Sequence, residues 1–176
     1  IINSLQSGDQ LKIAMFYFSE RNIVSAISTA LKKGVSVQIL LDPNSESFGR
    51  KRIGIPNRFT AWELQQEGAK IRWADTHGEQ MHAKMLLAFR QGGEASLLAG
   101  SANYTRRNIG GYNLESNVEV VGKSEQPFFE KASAIYDRMW LNQRGQYTVE
   151  YARYADESWK RRWLMRVQEF SGMGTF

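Results

Sequence analysis

Residues 11–42 read LKIAMFYFSERNIVSAISTALKKGVSVQILLD, and this stretch decides the fold. Leu11 to Phe18 is an apolar run of strand length, the pattern of a strand buried on both faces. Ser19 predicts a helix N-cap, and Ile23, Val24, Ile27, Ala30 and Leu31 then recur at helical spacing. Gly34 stops that helix, and Val35 to Asp42 reads as a second buried strand. A strand, a helix and a second apolar strand in so short a span predict a right-handed crossover between parallel strands.

Further along, Pro43 to Pro56 reads as a loop with Gly49, Gly54 and the basic run Arg50, Lys51 and Arg52. A short helix is expected over Phe59 to Gln66, ending at Gly68, and a strand over Ala69 to Ala74. Met81 to Phe89 and Ala95 to Ala102 are strand-like runs joined by the hairpin turn Gln91-Gly92-Gly93-Glu94. Asn117 to Val121 predicts one more strand. Pro127 then opens the clearest helix, with an apolar stripe of Phe128, Phe129, Ala132, Ile135, Tyr136, Met139 and Trp140. After Gly145 the composition turns to Tyr, Arg and Trp, and a last helix would present Trp159, Trp163, Val167 and Phe170. The sum is an α/β layered domain, a mixed central sheet with helices on its faces.

Composition narrows the chemistry. The chain has 176 residues, 42% hydrophobic and 23% charged, enough for a core without covalent staples. It contains no cysteine, which excludes disulfides, zinc-thiolate sites and thiol nucleophiles. With only two histidines, His77 and His82, a metal site would have to lean on carboxylates. The net charge of +5 and pI near 9.5 favour anionic partners, although many basic soluble proteins share them. No apolar run approaches the roughly 20 residues that span a bilayer. The first residues already read like the middle of a helix, so a piece of a longer polypeptide is expected, and no compartment is fixed.

His82 and Lys84 lie two apart on the expected strand, so both should point to one face while Met81, Ala83 and Met85 point to the other. An imidazole beside an ammonium suits phosphate chemistry: a nitrogen nucleophile or proton donor next to a fixed positive charge. Alone, the pair reads more readily as the wet face of an edge strand. Gly100-Ser101-Ala102-Asn103 follows the next strand and offers a hydroxyl and an amide to an anionic oxygen. Gly100 would let a ligand or a backbone approach closely. Asn113-Leu114-Glu115 comes before the following strand, and Glu115 is the candidate to partner the second nitrogen of the imidazole.

The three clusters in this order, His82-x-Lys84, Gly100-Ser101-x-Asn103 and Asn113-x-Glu115, resemble the phospholipase D superfamily, whose signature is His-x-Lys-x4-Asp followed by Gly-Ser-x-Asn. The lead-in ending at Gly34-Val35-Ser36-Val37 is similar too. The likeness covers residues 1–141 as a phospholipase D-like catalytic half-domain and leaves 142–176 as an aromatic, basic extension. It implies that two such halves, in one polypeptide or in a homodimer, form one active site. One histidine would attack phosphorus to give a phosphohistidine, and the other would protonate the leaving alcohol. Lys84, Ser101, Asn103 and Asn113 would then bind the phosphoryl oxygens, and no metal or other cofactor is implied.

The sequence is most similar to bacterial cardiolipin-synthase-like enzymes, which implies a phospholipid substrate. The tail residues Trp159, Lys160, Arg161, Arg162, Trp163 and Arg166 could then rest on an anionic membrane surface, or simply pack as a helix with a solvated basic face. The alternatives are a nuclease of the same superfamily and a decayed scaffold half. The last arises because the family's aspartate falls at position 89, where this chain has Phe89, and the span from His82 to Gly100 is longer than usual. Glu94 lies in the intervening loop without any sign that it substitutes.

Overall fold

A computed structural model describes residues 1–44, 46–47, 50–51, 56–156 and 158. The first strand, β1, spans Gln10–Met15, and helix α1 spans Arg21–Lys32. Strand β2, Ser36–Leu41, returns parallel to β1, as the crossover reading expects. Glu46–Ser47 (β3) and Arg50–Lys51 (β4) form a separate two-stranded ribbon. Helix α2 (Asn57–Gln66) leads into β5 (Lys70–Ala74), which lies parallel to β2. The hairpin follows as β6 (Lys84–Phe89) and β7 (Glu94–Gly100), then the short helix α3 (Arg106–Ile109) and β8 (Asn117–Lys123). Helix α4 (Pro127–Trp140) and strand β9 (Thr148–Glu150) complete the described elements.

One sheet carries the order β8-β7-β6-β1-β2-β5-β9. Its centre is parallel and its flanks antiparallel, the mixed sheet that the sequence predicts. On one face Val24, Ile27 and Ala30 of α1 and Ala61 and Leu64 of α2 pack on Leu11, Ile13, Met15, Val37, Ile39, Leu86 and Ala88. On the other, Phe129 and Tyr136 of α4 cover Ala14, Leu40, Leu87 and Ala95. The result is an α/β/α sandwich. Each fully buried Val or Ile of the α1 stripe contributes on the order of 1.5–3 kcal/mol, so tertiary burial rather than helix propensity fixes that helix.

Several boundaries differ from the sequence reading, for local reasons. Glu20, not Ser19, caps α1, because its carboxylate reaches the N–H of Asn22. Gly34 does end the helix, at φ +89°, a left-handed conformation that lets Val35 N–H return to the Ala30 carbonyl at 3.1 Å. β1 stops at Met15, and the apolar residues Phe16–Phe18 continue into the loop that builds the site. In the α4 stripe, Phe128 and Ile135 are exposed rather than buried. Strand β9, which no apolar run announces, pairs antiparallel with β5, and Trp73 stacks on Tyr151 just beyond it. The expected helix at Trp159 to Phe170 and the side chains of Arg50, Lys51 and Arg52 lie outside the described residues.

Candidate active site

The site lies beyond the carboxyl ends of β1 and β2, where β6 begins. Open α/β sheets bind ligands at such edges. His82 precedes the first residue of β6 and is exposed. The alternation expected around it holds: Met81, Ala83 and Met85 pack toward α4, whereas Lys84 shares the opposite face with Leu86 and Ala88. The His82 ring lies 4.7 Å from the ring of Phe16, tilted by 55°. Lys84 is only 9% exposed, and its ammonium donates to the His82 carbonyl oxygen at 3.1 Å while resting 5.3 Å from the centre of the same Phe16 ring. A cation over an aromatic face gains about 0.5–2 kcal/mol. Phe16 therefore seats both groups.

Burial first, and the Lys84 charge second, lower the pKa of His82 from its ordinary value. The lowered value favours the neutral imidazole at neutral pH. Burial also lowers the Lys84 pKa, and the Glu115 carboxylate opposes that shift.

Glu115 is held from several sides. Ser101 Oγ donates to it at 2.5 Å, and the side-chain amide of Asn108 donates to its other oxygen. These two bonds, then Asn113 and the charge of Lys84, hold the carboxyl below its usual range against a smaller opposing effect of burial. Among the described residues no hydrogen bond joins Glu115 to the His82 ring. The structure places Glu115 as a partner of Ser101, Asn108 and Asn113 and as a counter-charge to Lys84. Ser101 lies past the end of β7, and its oxygen also accepts the Ser116 N–H at 2.9 Å. Asn113 accepts Arg107 Nε–H at 3.0 Å. Asn103 accepts the Tyr17 N–H at 3.2 Å through its carbonyl oxygen, so its NH2 group is the end left for an anion.

Gly100 serves a backbone rather than a ligand. A Cβ there would stand 2.2 Å from the Ser116 carbonyl oxygen and 2.6 Å from Asn117 Cα. Its absence lets β8 approach and sets Glu115 against Ser101. Tyr104 ties this segment to the end of β1: its carbonyl accepts the N–H groups of Ser19 and Glu20 at 2.7 and 2.8 Å. Sequence reasoning missed Phe16, Asp42 and Asn108. Asp42 does carry a signal, a carboxylate closing an apolar strand.

An exposed imidazole beside a buried ammonium, flanked by amide and carboxylate groups at the edge of a mixed sheet, is an arrangement suited to an anionic oxygen ligand. The family model described as the phospholipase D-like domain of cardiolipin synthase matches residues 1–140, and the chain belongs to that family. Members of the superfamily are phosphodiesterases and phosphotransferases. Among solved structures, Nuc from Salmonella typhimurium, a phospholipase D family member, superposes with a TM-score of 0.59 at 19% identity, covering 83% of this chain and 84% of that one. NucT from Helicobacter pylori gives 0.56 at 22% identity, over 80% and 82% of the two chains. Phosphatidylserine synthase from Haemophilus influenzae gives 0.59 at 14% identity, over 95% of this chain and 40% of that one. At such identities the likeness establishes the fold. No curated protein matches the sequence.

Proposed function

We propose that this chain is one catalytic half of a phospholipase D-type phosphodiesterase or phosphatidyltransferase acting on phospholipids. The observation that carries the reading is the arrangement of His82 and Lys84 on one aromatic platform, with the ammonium bonded to the histidine's own carbonyl. That contact fixes a positive charge beside a neutral imidazole, which suits attack on a phosphodiester anion.

In the proposed reaction, a neutral histidine nitrogen attacks phosphorus, and the bond from phosphorus to the leaving oxygen breaks. The histidine of the second half gives its proton to that oxygen. Water or an acceptor alcohol, deprotonated by the same histidine, then attacks the phosphohistidine and restores the first imidazole. Lys84 and the Asn103 amide would neutralise the oxygens, and Glu115 would steady Ser101 and balance Lys84. His82 fills one of the two histidine roles. The motif-bearing partner is a second half, in the same polypeptide or in a homodimer.

Phe89 does not argue against this reading. It lies on the face opposite Lys84, packed in the α4 layer, and roughly 17 Å along β6 from it. The scaffold alternative predicts instead that the chain is inactive on every substrate. The nuclease alternative draws on the positive charge and on Arg106 and Arg107 in α3 near Glu115.

The test incubates the longest native chain that contains this segment with a labelled phospholipid and a primary alcohol, and in parallel with a bis-phosphodiester and with DNA. A phosphatidyl-alcohol product that disappears in His82→Ala supports the reading. DNA cleavage alone would replace it with a nuclease, and inactivity on every substrate would overturn it.

A further inference from the structure

His82 lies in a loop, yet its backbone is tied on both sides. The Phe16 N–H donates to the Ala83 carbonyl at 2.9 Å. On the other side, the Met81 N–H donates to Asp42 Oδ2 at 2.7 Å. Asp42 closes β2 and is only 2% exposed. Its other oxygen, Oδ1, accepts the Asn44 N–H at 2.7 Å and the Asn44 side-chain amide at 3.2 Å. Among the described residues no cation pairs with it, and burial pushes its carboxyl up despite these hydrogen bonds. An unpaired buried carboxylate costs stability, so its presence calls for a role.

We propose that Asp42 is a positioning residue that presents His82 to the phosphodiester, an inference that rests on the function proposed above. A carboxylate is needed because both oxygens face backbone N–H donors. An asparagine would turn an NH2 group toward one of them, releasing either Met81 or Asn44. With Met81 freed, His82 keeps its ring and its chemistry but loses its fixed approach to phosphorus. Misplacement on the order of 1 Å at such a group lowers rates about 100-fold.

The structure supplies its own control. Asp9 is also a buried carboxylate that clamps two backbone N–H groups, those of Gln6 at 2.8 Å and Gln91 at 2.9 Å. It sits before β1, at the opposite end of the sheet from His82. A merely structural role for Asp42 would make the two equivalent.

The experiment compares Asp42→Asn, Asp9→Asn and His82→Ala in the full native protein, reading kcat, KM and the melting temperature. Positioning predicts that Asp42→Asn lowers kcat by about 10- to 100-fold with KM nearly unchanged, while Asp9→Asn shifts melting without lowering kcat. If Asp42→Asn keeps its kcat while His82→Ala loses activity, the positioning role is overturned and the function stands. If His82→Ala keeps full activity, the function itself fails. Should Asp42→Asn not fold, the wild-type protein decides by NMR. A Met81 amide shift that titrates with a carboxyl group above pH 3.8 supports the clamp, and a shift that stays flat overturns it.

Discussion

Phe89 and Lys84 occupy opposite faces of β6 at its two ends, the aromatic ring in the α4 layer and the ammonium at the rim beside His82. The residue at position 89 therefore acts on packing. Lys12, which pairs with Asp137 at 2.8 Å, holds its ammonium 5.7 Å from the centre of the Phe89 ring. The Phe89 ring thus covers a cation that α4 already neutralises.

Replacing Phe89 by aspartate should accordingly leave kcat no higher than in the wild type. Loss of the ring's packing and the arrival of a second carboxylate at a satisfied ion pair should destabilise the fold by about 1–3 kcal/mol. Chemical denaturation checks the first effect and kcat of the folded fraction checks the second. A rise in kcat would show that position 89 reaches the site.

The pH dependence follows from His82. Its pKa lies below the usual 6.5, through burial first and the Lys84 charge second, so the acid limb of kcat/KM for the step that needs neutral His82 should fall below pH 6.5. Lys84→Met removes the like charge and should move the His82 titration upward. Ring-proton NMR reads both. In stability terms the unfolded chain binds the proton more readily, so this group's contribution grows as pH rises toward 6.5 and is complete above it.

The Glu115 pKa is shifted in the same direction, in a lower pH window. Ser101 and Asn108 depress its pKa below 4.5, so its stabilising contribution is complete above pH 4.5 and fades as pH falls through the depressed value. Ser101→Ala deletes the leading cause and should raise the Glu115 pKa toward 4.5, measured by carboxyl NMR. An unchanged titration would mean that Ser101 does not hold this carboxylate.

Gly100→Ala should cost about 1–3 kcal/mol, because the added methyl meets the backbone of Ser116 and Asn117 rather than a flexible side chain. It should also lower activity by displacing the Glu115 loop. Thermal melting and kcat measured together check the pair of effects.

How much of this was legible in the sequence depends on range. The crossover from β1 through α1 to β2 was plain, because Leu11, Ile13, Val24, Ile27 and Val37 repeat at the spacings of strand and helix. The His82, Lys84, Ser101 and Glu115 motifs were legible because their residue types are unusual together. Strand β9 was not, since Thr148–Glu150 is short and gains its place by pairing with β5. Phe16 looked like one more apolar strand residue, and only the end of β1 at Met15 turns it toward His82. The partners of Glu115 were hidden for the same reason: Asn108 reaches it from a one-turn helix that Thr105 caps, a contact that no periodicity encodes.

The most direct test is the rate of phosphodiester cleavage by His82→Ala beside the wild type, in the full native protein and on a single bis-phosphodiester. A catalytic role for His82 predicts a loss of at least about 100-fold in kcat with the fold intact. Activity within about twofold of wild type would contradict it.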